Sequence, residues 1–252
     1  MKIKRKAPKP GKAGRPAFVV GWSFSLPTIT DLKFWFDLEY GGPLKLVPEN
    51  GATASCVRMT LSHIQWSTSL VCPLPEEESE RWRHQLHWGH TQTAAILHRQ
   101  GPPSQARDLQ LFLSRLARGL VLLSEGTSYD VHTEAFGNPS DWKDRTLTSF
   151  WLDDHVTVIQ PEAEDPTSEW FRTMGLTKFG LDELETARPR GLAGGRTIEI
   201  LMDAAETILD SGQNPTVGST IHAARNGLTL HIVSHRTLPH TTGPLPIRRL
   251  QW

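Results

Sequence analysis

Two periods of apolar residues run through the chain, one of two and one of about 3.6, and together they lay out its elements. Ala17–Ser25 (AFVVGWSFS) gathers β-branched and aromatic residues and predicts a strand. Pro27-Thr28 then opens a helix through Phe34 and Leu38, which Gly41-Gly42-Pro43 ends. Thr53–Thr60 and Ile64–Val71 read as paired strands of one hairpin around Ser62–Ile64, with Val57, Met59, Leu61, Trp66 and Leu70 on the buried face. Three glutamates suit the start of a helix over Glu76–Trp88, where Trp82 and Leu86 fall four apart. After a short strand at Thr93–His98, Ser104 caps the clearest helix of the chain. In it Leu109, Phe112, Leu113, Leu116, Leu120 and Leu123 recur at three- and four-residue steps.

The second half is less regular. Thr127–Arg145 is turn-rich, with a loop at Phe136-Gly137-Asn138-Pro139, and Ser149–Ile159 returns as a strand. Prolines and acids replace apolar periodicity over Pro161–Ser168, which reads as a linker. The last third predicts a strand over 170–179, a helix over 197–210, a strand beginning within Thr216–Ile221, a strand over 228–235 and a Pro-rich tail to Trp252. Within it, Thr173–Glu185 (TMGLTKFGLDELE) runs an alternation into a Phe-Gly turn and then an acidic helix start. Gly175 and Gly180 read there as backbone requirements, Leu181 and Leu184 as packing. The expected organisation is a tail (1–16), a main unit (17–160), a linker (161–168) and a strand-helix-strand unit (169–252). The expected fold class is α+β, a mixed and largely antiparallel sheet with helices packed mainly on one face.

Charge changes this picture only at one end. Lysine plus arginine and aspartate plus glutamate both number 27 in 252 residues, so no net field draws the whole chain to nucleic acid or membrane. The opening segment MKIKRKAPKPGKAGRP nevertheless carries Lys2, Lys4, Arg5, Lys6, Lys9, Lys12 and Arg15 without a single acid. It reads as a flexible basic tail, either a salt-sensitive contact to nucleic acid or a solubilising terminus. No apolar segment of about 7–15 residues follows it, as a secretion signal requires, and no run approaches a membrane span, so a cytoplasmic location is expected. Cys56 and Cys72 have no ligand spacing and read as reduced core thiols, although the hairpin brings their strands together.

The Thr173–Glu185 segment, with Thr216-Val217-Gly218 beyond the following helix, resembles the bacterial family known as domain of unknown function 4261. A looser likeness covers Trp88–Trp142. The basic tail has no counterpart in that family, and Ser124–Asp130 lacks the Gly-hydrophobic-Tyr-Trp run common after its long helix. The resemblance implies a standalone cytoplasmic protein, associated in some members with toxin or secretion-system genes, and it carries no catalytic residues.

Four groups of residues have the chemistry of a site. His84, His87 and His90 (HQLHWGH) space imidazoles at helical steps, as a zinc site would; the alternative is a solvated helix face with a capping histidine. Asp153-Asp154-His155 sets carboxylates beside an imidazole, with Asp153 and His155 sharing one strand face, and an exposed polar face is the plainer account. Gly191–Gly195 (GLAGG) precedes a helix but has neither a preceding strand nor the lysine of a phosphate loop. Of nine tryptophans, Trp22, Trp35, Trp82, Trp88, Trp151 and Trp170 fall in predicted elements as core or groove residues, while Trp142 and Trp252 sit in loop and tail as interface anchors.

No nucleophile elbow and no phosphate-cradling motif accompanies these groups. The expectation is a non-enzymatic protein that acts by protein–protein contact, an immunity or accessory protein for a toxin or secretion system. The alternatives are a metal-dependent enzyme built on His84, His87 and His90, with Asp153 or His155 assisting and zinc as the candidate metal, and nucleic-acid binding through the tail; otherwise no cofactor is expected.

Overall fold

A computed structural model describes residues 16–24, 28–49, 57–97, 106–162, 166–191, 193–240 and 243–252. The first sheet is antiparallel at every pairing. Its strands are β1 (Pro16–Trp22), β2 (Lys45–Pro48), β3 (Val57–His63), β4 (Trp66–Cys72), β5 (Gln92–Leu97), β6 (Thr127–Asp130) and β7 (Ala135–Gly137), in the order β2-β3-β4-β5-β1-β6-β7. Alternation on β1 decides its two faces: Phe18, Val20 and Trp22 join the main core, Val19 the opposite one.

Helices α1 (Ile29–Tyr40) and α3 (Ala106–Ser124) cover the main core, and α2 (Glu76–Leu86) covers the other face through Trp82. Thr28 starts α1 with a capping box, its hydroxyl accepting from Asp31 N at 3.1 Å while the Asp31 carboxylate accepts from Thr28 N at 2.9 Å. Gly119 lets α1 and α3 touch, because a Cβ there would lie 2.7 Å from the Trp35 ring. The short helix α4 (Pro139–Asp144) is capped by Asn138, with Pro139 in its first turn.

The second sheet has β8 (Thr157–Ile159), β9 (Ser168–Met174), β10 (Glu183–Pro189), β11 (Thr220–Ala223), β12 (Leu228–Leu238) and β13 (Leu245–Gln251), in the order β11-β12-β13-β10-β9-β8. Only β10 and β13 run parallel. Helix α5 (Gly195–Ser211) lays Ile200, Leu201, Ala204, Ala205 and Ile208 on one face, against Phe171, Leu184, Ile221, Leu230, Ile232 and Leu250. The chain is therefore α+β and largely antiparallel, in two sheets. No helix among the described residues is long and apolar enough to cross a membrane.

Several expectations are corrected. The turn-rich 127–145 segment holds β6, β7 and α4. Ser149–Ile159 is not one strand: Leu152–Asp154 forms a 3-10 turn and only Thr157–Ile159 pairs, so Asp153 and His155 share no strand face. The acidic stretch after Gly180 starts β10 rather than a helix, and residues 176–179, expected as strand, form a 3-10 turn. The Pro-rich tail contains β13, an inner strand of its sheet. Val57 is exposed, at the open end of its hairpin. Residues 163–165 of the expected linker, Cys56, Ser104 and the tail as far as residue 15 lie outside the described residues.

The two sheets meet at the Thr173–Glu185 segment. Gly175 and Gly180, both at positive φ, bracket the 3-10 turn that carries Lys178 into the junction. There Lys178 pairs with Asp130 of β6 and donates to the His155 carbonyl at 2.7 Å, while Gln110 of α3 donates to the Lys178 carbonyl at 3.3 Å. The Asp130 carboxylate also accepts from His132 N at 3.0 Å and Thr133 N at 3.3 Å. Burial raises this carboxyl's pKa, and Lys178 outweighs burial and holds it below the ordinary value. His155 is buried, stacked on Phe150 at 4.7 Å and edge-on to Phe179.

Candidate functional site

The face of the second sheet opposite α5 carries a different kind of chemistry. Register sets Arg172 of β9, Glu185 of β10, Arg249 of β13 and Ser234 of β12 side by side in one row across four strands. Trp170 lies two residues before Arg172 on the same side of β9. The side chains confirm the shared face: Arg249 sits over the Trp170 ring at 4.5 Å and Arg236 over it at 5.3 Å. Arg236 also donates to Glu185 Oε2 at 2.7 Å.

Pairing on this face is incomplete. Glu185 is 1% exposed and serves two arginines, Arg236 at hydrogen-bond distance and Arg172 at 3.7 Å. The Arg172 guanidinium side chain is only 12% exposed, and its Nε has no hydrogen-bond partner among the described residues. Burial lowers the pKa of Arg172 and the Glu185 carboxylate works against that, with Arg236 lowering it further. Arg172, Arg236 and Arg249 thus gather around Glu185, with Trp170 beneath two of them, and Glu183, two residues before Glu185 on the same strand, is taken up by Thr173 and the amides of Gly175 and Thr177. Guanidinium forks with unused N–H groups, spaced along a half-buried sheet face, suit carboxylates presented by an extended partner.

A second polar cluster lies behind the junction. A cavity of about 130 Å³ is lined by Asp130, Thr133, Arg145, Asp153, Asp154 and His155, among others. Burial raises the Asp154 carboxyl, against the pull of Arg145. Burial, then Lys178, drops the His155 pKa to about 3, so its ring is neutral at physiological pH; Nδ1 lies 3.4 Å from Ser114 Oγ and Nε2 has no hydrogen-bond partner among the described residues. This space is below the roughly 300 Å³ at which ligand pockets begin.

The residues singled out by sequence are placed as follows. His84 and His87 lie on or at the end of α2 with ring centroids 6.5 Å apart, His87 capping the helix in the left-handed region. His90 turns away to the Trp88 ring and to Ser23 Oγ at 3.4 Å, so the three imidazoles do not converge. Among the described residues no three of His, Cys, Asp and Glu gather to hold a metal. Asp153 is exposed and His155 buried, so the expected exposed pair is not formed. Trp142 is not a loop anchor: it is buried in α4, its indole N–H donating to Ser128 Oγ at 2.8 Å. Trp252 is 44% exposed, just past β13, and Trp151, expected as a core or groove residue, is 68% exposed. Gly191–Gly195 does follow a strand, β10, contrary to expectation. Cys72 is buried at the end of β4. The nucleic-acid candidates Lys2 to Arg15 lie outside the described residues.

Sequence reasoning missed Arg172, Arg236 and Arg249 altogether. No motif links residues on three strands, and only the period-two alternation around Trp170 carried any local signal. No family model matches the chain, and no curated protein or solved structure matches it.

Proposed function

We propose that the protein acts by protein–protein contact without catalysis of its own, and that the face of the second sheet opposite α5 receives an acidic segment of the partner. The observation that carries this reading is the excess of arginine over carboxylate around Glu185, with Trp170 held beneath Arg236 and Arg249. Arginine and tryptophan are the residues on which interface energy concentrates. In the setting that the resemblance implies, the partner is a toxin or a secretion component, and the protein its immunity or accessory factor.

Co-purification from the native host, with nuclease present, tests the reading. The wild-type chain is expected to bring down a defined protein that Arg249→Glu and Trp170→Ala lose while remaining folded. Recovery of the same protein with both variants, or of nucleic acid in place of protein when nuclease is omitted, contradicts it.

A further inference from the structure

The same face ends in a cleft of about 440 Å³, within the range of small-molecule sites. Ile159, Met174 and Leu245 line it, and Met174 and Leu245 belong to a small apolar cluster with Ile247, against which Ile159 and Leu238 pack. Arg172 enters from β9, and Glu134 and His240 close another side, His240 Nε2 lying 3.0 Å from Glu134 Oε1.

Three observations specify what such a space takes. Arg172 is nearly buried, its Nε makes no hydrogen bond among the described residues and stands 3.7 Å from a Glu185 carboxylate already hydrogen-bonded to Arg236, so it has donors to offer and little water to satisfy them. The other ionisable groups of the lining are Glu134 and His240, whose Nε2 lies 3.0 Å from Glu134 Oε1, so Arg172 is the one arginine or lysine facing the cleft among the described residues. The remaining walls are apolar. One guanidinium matches the planar fork of a carboxylate, whereas a phosphate dianion would bring a second charge toward Glu134 with no second arginine or lysine among the described lining residues to meet it.

We infer that this cleft binds a carboxylate borne on an apolar group, Arg172 holding the carboxylate oxygens while Ile159, Met174 and Leu245 enclose the apolar part. The ligand is either a free carboxylic acid or the C-terminal residue of a peptide chain. Arg172 is common to the cleft and to the open face, but Arg249 does not line the cleft, so Arg249→Glu tests the reading of the open face and not the cleft.

The test is a titration of the full chain with hexanoate and with N-acetyl-leucine, each beside its amide, followed on the Arg172 Nε–H resonance. The acids are expected to shift that resonance and to bind about tenfold or more tightly than the amides, the discrimination expected of a charge-assisted fork. Binding of hexanoate alone assigns the free acid, and binding of N-acetyl-leucine assigns the chain terminus; either supports the inference. Arg172→Gln is expected to abolish the preference for acid over amide. Ile159→Trp, which fills the cleft and spares Arg172, is expected to abolish binding with an unchanged circular dichroism spectrum. Equal affinity for acid and amide, or no shift at Arg172 with either acid, overturns the inference.

Discussion

Lys178 with Asp130, and Arg172 and Arg236 with Glu185, are two ionic groups taken out of water by neighbouring stretches of one chain. Lys178 and Glu185 belong to the same thirteen residues, and Arg172 immediately precedes them. In the junction the acid accepts from two backbone N–H groups besides the ammonium, and the ammonium donates to a carbonyl besides the acid. On the open face one carboxylate is divided between two guanidiniums and a third stands beside it on the neighbouring strand. A closed network fixes how the sheets meet. An open one leaves donors for something that arrives, and the difference assigns scaffold to the first and recognition to the second.

Lys178→Met breaks this comparison hardest. It strands the buried Asp130 charge and is expected to cost about 3–5 kcal/mol in denaturant unfolding. A loss under about 1 kcal/mol would mean that the junction is not the structural element claimed. Gly175→Ala comes next: φ is 119° there, and a Cβ would press on the His155 carbonyl and lie 2.9 Å from Thr133 Cγ2. About 2 kcal/mol or more is expected, measured the same way.

The His155 ring gives a pH-dependent version of the same test. Unfolded, it titrates near 6.5, whereas in the fold burial and Lys178 hold it at about 3. Between those values the unfolded chain binds a proton that the folded chain does not, so stability is full above about 6.5 and falls as pH drops toward 3. About 2 kcal/mol is expected to be lost by pH 5 through this group, and His155→Phe is expected to remove most of that slope. Asp130, with its depressed pKa, adds acid sensitivity only below its unfolded value of about 3.9, so the two windows separate. The smallest effect belongs to the open face, where Arg249→Glu is expected to change unfolding free energy by no more than about 0.5 kcal/mol.

Much of the framework was legible because it rests on local period: α3 from its leucine spacing, β1 from its β-branched run, the β3–β4 hairpin from paired alternation. What failed was set by contacts distant in sequence. Glu183 and Glu185 look like helix-start acids until Thr173, the amides of Gly175 and Thr177, and Arg236 reach them from other elements. Strand β13 hides behind Pro246, which lies inside the strand opposite Thr237. Trp142 reads as a surface anchor from its loop-like setting, and the Ser128 hydroxyl that takes its indole N–H is fourteen residues earlier. Arg172, Arg236 and Arg249 become neighbours only through strand order.

The central claim is that the open face of the second sheet, and not the junction, is where the protein meets its partner. Titrating the chain with poly-glutamate, an acidic extended probe, and following indole and guanidinium N–H resonances tests it most directly. Trp170, Arg236 and Arg249 are expected to shift in a salt-sensitive way while the Trp142 indole stays still. Shifts at Trp142 with none at Trp170 would contradict the account.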